Sequence, residues 1–286
     1  MSAPDRTTRG EVVVLFSGGT DSTATALLAA QRYERVHLLT FQRFGMFGVE
    51  KSDTNFSKLQ QSFGPDRFVR PALVPFDRLF RYLSYGSWLA DVRRHGLMTL
   101  TTCGICKLAM HVRALVYCLE NGVTNVYDGA NRNMYIFPAQ MGDVLGMLQS
   151  FYADYDITYE NPVFEYDDPQ GMNFGSRVFG LNPAREETAE RANTSTGALL
   201  VEHGLLSNAD VKGTAVDRDM QARCYQFVLF NVYARWYFLN RYDYDEYAVR
   251  VQAFYGDKVA DCRHLLAEWG GPGVRDGGLL ASLIED

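Results

Sequence analysis

An unbroken apolar run that stops at a pair of glycines limits what this chain can fold into more than any other feature. Glu11 to Phe16 reads Glu-Val-Val-Val-Leu-Phe, followed by Ser17-Gly18-Gly19-Thr20-Asp21-Ser22 and then the alanine- and leucine-rich stretch Thr23 to Gln31. A β-branched run without polar alternation predicts a strand covered on both faces, as in a parallel sheet. Ala24, Leu27 and Leu28 recur at helical spacing, so the order is strand, tight turn, helix. Two glycines let the backbone turn sharply and approach an anion. Ser17, Thr20 and Ser22 add hydroxyls, and Asp21 adds a carboxylate suited to Mg²⁺. The free N–H groups and positive dipole end of the helix would face this loop, which makes it a seat for phosphate.

The loop lacks the lysine and the spacing of Gly-x-x-x-x-Gly-Lys-Ser/Thr, so the nucleotide-cleaving mode tied to that motif is not supported. Ser17 to Ser22 instead resembles the pyrophosphate loop of the PP-loop ATP pyrophosphatase superfamily, which is adenine nucleotide alpha-hydrolase-like. That resemblance implies a HUP-like α/β fold, a parallel sheet flanked by helices. It also implies that Ser17, Gly18, Gly19, Thr20, Asp21 and Ser22 hold ATP and Mg²⁺ while a substrate attacks the α-phosphorus and pyrophosphate leaves. Arg35 to Gln42 reads as the second strand, and in such proteins its edge contacts adenine, which makes Thr40 and Phe41 nucleotide neighbours.

Five cysteines in a chain whose polar Met1 to Gly10 shows no export signal do not read as a disulfide framework. Cys103 and Cys106 lie in Thr-Thr-Cys-Gly-Ile-Cys-Lys, just ahead of the stripe Leu108, Val112, Leu115, Val116 and Leu119. Both sulfurs therefore open a helix, where the dipole is expected to lower thiol pKa, and metal, cluster and redox readings all stand. Val123 to Asp128 then reads as a strand running into Gly129-Ala130-Asn131, at the sheet edge where open α/β folds bind ligands. This order resembles the cluster-dependent tRNA thiolation branch over roughly residues 11 to 135. The resemblance implies that Cys103, Cys106 and a third cysteine bind a four-iron four-sulfur cluster. Cys224, in the polar approach Asp219 to Cys224, is the candidate third ligand. Cys118 and Cys262 read as packed hydrophobes, and the five histidines form no metal-spacing motif; His111 is placed on a solvated helix side.

With 286 residues, 47% of them hydrophobic and 22% charged, the chain can bury a substantial core. A PP-loop domain over 1–155 and a mostly helical portion over 156–286 are expected. Ser52 is expected to cap a helix, and Phe76 to Val92 to form one long helix. Arg185 to Leu206 reads as a helix, Asp167 to Gly171 and Trp269 to Gly273 as loops, and the aromatic stretch after Cys224 as a buried central helix. No apolar stretch reads as a membrane span, and a cytoplasmic location is expected. A formal charge of −6 gives no global field for nucleic acid, which disfavours tRNA as a partner.

The leading expectation is an adenylating enzyme. It activates a carbonyl or carboxyl oxygen of a small-molecule or carrier-bound substrate, and sulfur delivered through Cys103 and Cys106 then displaces AMP, with a sulfur donor protein as partner. Lys107 and Arg132 are nearby charges. One alternative is a ligase using an amine nucleophile, with structural Zn²⁺ on the cysteines. The other is a module that binds ATP without turning it over.

Overall fold

The computed structural model describes residues 8–167, 192–212, 214–270 and 278–285. Five parallel strands form its central sheet: β1 (Thr8–Leu15), β2 (Tyr33–Leu39), β3 (Phe68–Val69), β4 (Asn125–Asp128) and β5 (Thr158–Glu160), in the order β3-β2-β1-β4-β5. The order reverses between β1 and β4. A crevice therefore opens at their carboxyl ends, where open α/β sheets take ligands.

The lack of alternation in β1 has the expected origin. Val13 and Leu15 point into one core with Leu39, Ile105, Leu108 and Val126, while Val12 and Val14 point into another with Leu27, Val36 and Leu38. Helix α1 (Thr20–Arg32) covers the second face, and α2 (Ser52–Phe63) follows β2. On the first face lies α5 (Thr102–Asn121). It alone among the described helices has the length and hydropathy of a membrane span, contrary to expectation. Leu108, Val112, Leu115 and Val116 on it are buried against the sheet, so its apolar character belongs to a core helix.

Residues beyond 155 complete both cores. Leu199 and Leu200 of the helix Thr196–Glu202 join Leu27 and Val36, and Tyr247, Val251, Phe254 and Tyr255 of the long helix Tyr244–Trp269 pack with α5. The later half is mostly helical, as expected, although Ala192–Ser195 is a strand paired with Tyr166–Asp167. The expected helical stretch at 185–191, the loop at 168–171 and the tail at 271–273 lie outside the described residues.

Three local expectations need correction. The span Phe76 to Val92 is broken, giving α3 (Asp77–Tyr85) and α4 (Trp88–His95) with Gly86 and Ser87 between them. The turn is gripped by Lys258, itself 1% exposed, whose Nζ donates to Ser87 Oγ at 2.9 Å and to Asp91 at 2.7 Å. Ser52 is the first residue of α2, not its cap; its hydroxyl donates to the Val49 carbonyl at 2.7 Å and accepts from Arg70. The aromatic helix Tyr225–Tyr233, continued by a π-helical turn over Ala234–Phe238, is not central. Phe230, Ala234 and Phe238 make a buried stripe, while Tyr225, Leu229, Val232 and Trp236 are exposed. Apolar composition all round hides which side faces water, since much of any protein surface is apolar.

Candidate nucleotide loop and cysteine cavity

Two sites meet at the carboxyl edge of the sheet. The first is the loop after β1. Gly18 has φ +82°, and its carbonyl accepts from Asn55 Nδ2 at 2.6 Å and Thr23 Oγ1 at 3.3 Å. Ser17 and Ser22 brace the turn, their hydroxyls 3.1 Å apart, with Ser22 Oγ donating to the Gly19 carbonyl at 3.1 Å. Gly19 caps α1 without a side-chain hydrogen bond, so the first-turn amides of Thr20, Asp21 and Ser22 have no carbonyl one turn earlier in the helix. Across the crevice, Gly129 follows β4 so closely that a Cβ there would sit 2.9 Å from the Ser22 amide nitrogen. The expected segments therefore do meet.

Asp21 is held from the far half of the sequence. Thr196 Oγ1 donates to its Oδ1 at 2.6 Å, and Lys212 Nζ lies 3.0 Å from each of its carboxylate oxygens. Neither partner carries a sequence signal, because the pairing is made only by the tertiary fold. Thr40 is buried and its carbonyl accepts from the Val74 amide at 2.8 Å, while Phe41 packs edge-on against Phe76. The Phe41 side chain thus belongs to the core.

The second site is a cavity of about 190 Å³ lined by Arg43, Cys103, Cys106, Lys107, Phe137 and Cys224, among others. Cys103 and Cys106 come from the first turns of α5. Cys224 is brought to them because Arg223–Cys224 pairs antiparallel with Met46–Phe47. The same pairing carries Arg43 in. Its guanidinium donates from Nε to Cys106 Sγ at 3.1 Å and from Nη2 to Cys224 Sγ at 3.3 Å, bonds Gln226, and lies over the Phe80 ring. Sequence reading missed Arg43, whose position follows from that short strand pair. Cys118 and Cys262 are buried in the core away from this cavity, as expected.

The helix-start effect on the thiols is overturned. Burial pushes the thiol pKa values of Cys103 and Cys106 up, with mutual repulsion between the sulfurs adding to it at Cys103, and Arg43 only partly opposes the rise. Cys106 is buried and Cys103 half-buried, which is the source of that desolvation. As placed, the sulfurs do not form a metal site: no three His, Cys, Asp or Glu side chains among the described residues are arranged to hold an ion, and Arg43 bonds two of the three sulfurs.

Beneath the two sites runs a buried polar network. Lys107 Nζ donates to Asp128 Oδ1 at 2.6 Å, and Tyr159 OH donates to Oδ2 at 3.1 Å. His111 is fully buried, which corrects the solvated placement; its Nδ1 lies 3.1 Å from the Tyr152 hydroxyl and its Nε2 3.7 Å from Asp128. Arg132 pairs with Glu165. Burial lowers the His111 pKa to about 3, against the pull of Asp128. The folded value lies below the unfolded one, so this group's stabilisation is present above about pH 6.5 and is lost as pH falls toward 3. Urea unfolding at pH 7 and 5.5 is expected to show wild type losing stability faster than His111→Gln, by up to about 1.4 kcal/mol per pH unit. Equal slopes would refute the assignment.

The strand order and the glycine loop at its switch point define an open parallel α/β protein with its candidate site at the carboxyl edge of the sheet. Residues 11–58 match the family model described as "Queuosine biosynthesis protein QueC". Over this strand, loop and first helix the chain is similar to the PP-loop ATP pyrophosphatase superfamily. It is 30% identical over 127 residues to the probable tRNA sulfurtransferase of Methanothermobacter thermautotrophicus, a match spanning 43% of this chain and 30% of that relative's length. Among solved structures, the predicted subunit of tRNA methyltransferase from Methanocaldococcus jannaschii aligns with a TM-score of 0.32 at 21% identity, covering 54% of this chain and 69% of that one.

Proposed function

We propose that this chain is an ATP-dependent adenylating enzyme that inserts sulfur into its substrate. ATP binds at Ser17 to Ser22, a carbonyl or carboxyl oxygen of the substrate attacks the α-phosphorus, and pyrophosphate leaves. The carbon bearing the adenylate is then electrophilic. The observation that carries the sulfur half is the convergence of Cys103, Cys106 and Cys224, with Arg43 and Lys107, on one cavity at the same sheet edge as the loop.

The chemistry needs no metal to balance. A persulfide on one cysteine attacks the adenylated carbon through its outer sulfur; the C–S bond forms and AMP departs with the electrons of the C–O bond. A neighbouring thiolate then attacks the carrier sulfur. A cysteine disulfide forms, the thiolated product is released, and a thiol reductant supplies two electrons to reset the pair. Arg43 would stabilise anionic sulfur, since its donors already point at two sulfurs. The sulfane sulfur comes from a donor protein or small persulfide, and the setting is the cytoplasm, where thiols stay reduced. A small or carrier-bound substrate fits better than the tRNA in the relative's name, because the chain carries a net charge of −6.

Anaerobic turnover with ATP, a persulfide donor and a panel of acceptors tests the reading, with pyrophosphate and product sulfur measured together. Both are expected from wild type. Cys103→Ser and Cys224→Ser should keep ATP–pyrophosphate exchange while losing sulfur transfer about a hundredfold or more. Pyrophosphate with an amide, amidine or nitrile product would establish the amine ligase instead, and ATP binding without pyrophosphate across the panel would leave a non-catalytic module. Iron with acid-labile sulfide in the purified protein would move the sulfur from cysteine to a cluster; stoichiometric zinc would favour the ligase.

A further inference from the structure

We infer that Lys212 is the cation of the phosphate loop and that Asp21 positions it, in place of the magnesium-ligand role the loop motif suggests. This rests on the reading that ATP binds there. A phosphate loop of this kind has hydroxyls and amides but no lysine of its own between Ser17 and Ser22. The fold supplies one from the other half of the chain: Lys212 Nζ straddles the Asp21 carboxylate, 3.0 Å from Oδ1 and 3.0 Å from Oδ2, and Thr196 Oγ1 donates to Oδ1 at 2.6 Å. Both oxygens are therefore engaged, and the carboxylate charge is already balanced.

A magnesium ion on Asp21 would have to evict an ammonium group that touches both oxygens, and magnesium tolerates little departure from octahedral geometry. Lysine, by contrast, has three donors. Two suffice for the carboxylate, which leaves one N–H for a β- or γ-phosphate oxygen beside the first turn of α1. Arg218, Met220 and Gln221 lie over the loop. Lys51 Nζ donates to the Arg218 carbonyl at 2.9 Å, the Met220 carbonyl oxygen would be 2.5 Å from a Cβ on Gly18, and Gln221 Oε1 would be 2.5 Å from a Cβ on Gly19. Lys212 is thus held beside the loop by Asp21.

Calorimetric titration of wild type, Lys212→Met, Lys212→Arg, Asp21→Asn and the double variant tests this, with α,β-methylene-ATP, inorganic pyrophosphate and AMP as probes over a range of Mg²⁺. Lys212→Met is expected to weaken triphosphate and pyrophosphate binding at least about tenfold while AMP binding, which also reports an intact fold, stays within about twofold. Lys212→Arg should keep most of the affinity. Asp21→Asn should reproduce the Lys212→Met loss with the half-saturating Mg²⁺ concentration unchanged, and the double variant should lose no more than either single one. An Asp21→Asn protein that needs about tenfold more Mg²⁺ and recovers full affinity at saturation would overturn the inference, as would equal losses for AMP and triphosphate. Wild type that binds neither triphosphate nor pyrophosphate would sink the ATP reading itself, a result distinct from a Lys212 variant that binds as wild type does.

Discussion

Gly18→Ala is expected to unfold the loop after β1 and to cost the protein about 3 kcal/mol or more, a fall in Tm of about 8 °C or more. Two effects add. The residue has φ +82°, where any side chain is strained, and a Cβ would stand 2.5 Å from the Met220 carbonyl oxygen and 2.6 Å from Ser52 Cα. Both obstacles are backbone atoms, so no rotamer change relieves them. Nor can the glycine retreat, because Asn55 and Thr23 hold its carbonyl. Gly64→Ala and Gly10→Ala separate the contributions. Gly64 has φ +93° and ψ +151° with open space around its Cβ position, so only backbone strain of about 1–3 kcal/mol applies. Gly10 has neither strain nor a neighbour within 4 Å, so its substitution should be neutral or slightly stabilising. Thermal unfolding of the three variants should rank Gly18 below Gly64, with Gly10 at wild type. A Gly18→Ala protein that melts with Gly64→Ala would show that the clash is absorbed.

What could be read from the sequence was whatever depends on neighbours along the chain. The β1 run, the loop and the start of α1 were legible because double-sided burial and a tight turn each leave a local composition. Cys103 and Cys106 were legible for the same reason, as two thiols at a helix start. The glycines were assigned to anion approach, yet the atoms that crowd Gly18 and Gly19 belong to Ser52, Met220 and Gln221. The partners of Asp21 are equally distant in sequence, and Arg43 reaches the sulfurs only because Met46–Phe47 pairs with Arg223–Cys224. Periodicity failed where a helix is buried or apolar on several sides. On α5 the stripe did not reveal that His111 also faces the core, and on Tyr225–Tyr233 uniform apolarity did not reveal that Leu229 and Val232 face water. The upward push of burial on the two thiols was not legible, because a helix start is a local property and burial is not.

The Lys107–Asp128 pair yields the other large effect, and its asymmetry is the diagnostic part. Asp128 is 2% exposed, and although burial alone would raise its pKa, Lys107 first, then His111 and hydrogen bonds hold it below the ordinary carboxylate value. Removing Lys107 strands a carboxylate that cannot reach water. Removing Asp128 strands an ammonium whose side chain keeps 25% exposure and can turn outward. Lys107→Met should therefore cost about 3–5 kcal/mol at pH 7, and Asp128→Asn less, about 1–3 kcal/mol. The pH dependence follows from the same reasoning. In wild type the depressed pKa makes the pair's contribution present above about pH 4 and lost as pH falls through the folded value. In Lys107→Met the unpartnered carboxyl has a raised folded pKa, so its penalty grows as pH rises above about 4 and shrinks as the group protonates near that value. Lys107→Met/Asp128→Leu, which removes both charges, should recover much of the loss of Lys107→Met alone. Urea unfolding of wild type and the three variants between pH 4 and 8 supplies the numbers. If Asp128→Asn costs more than Lys107→Met, the carboxylate has another route to charge balance and Lys107 is not what keeps it ionised.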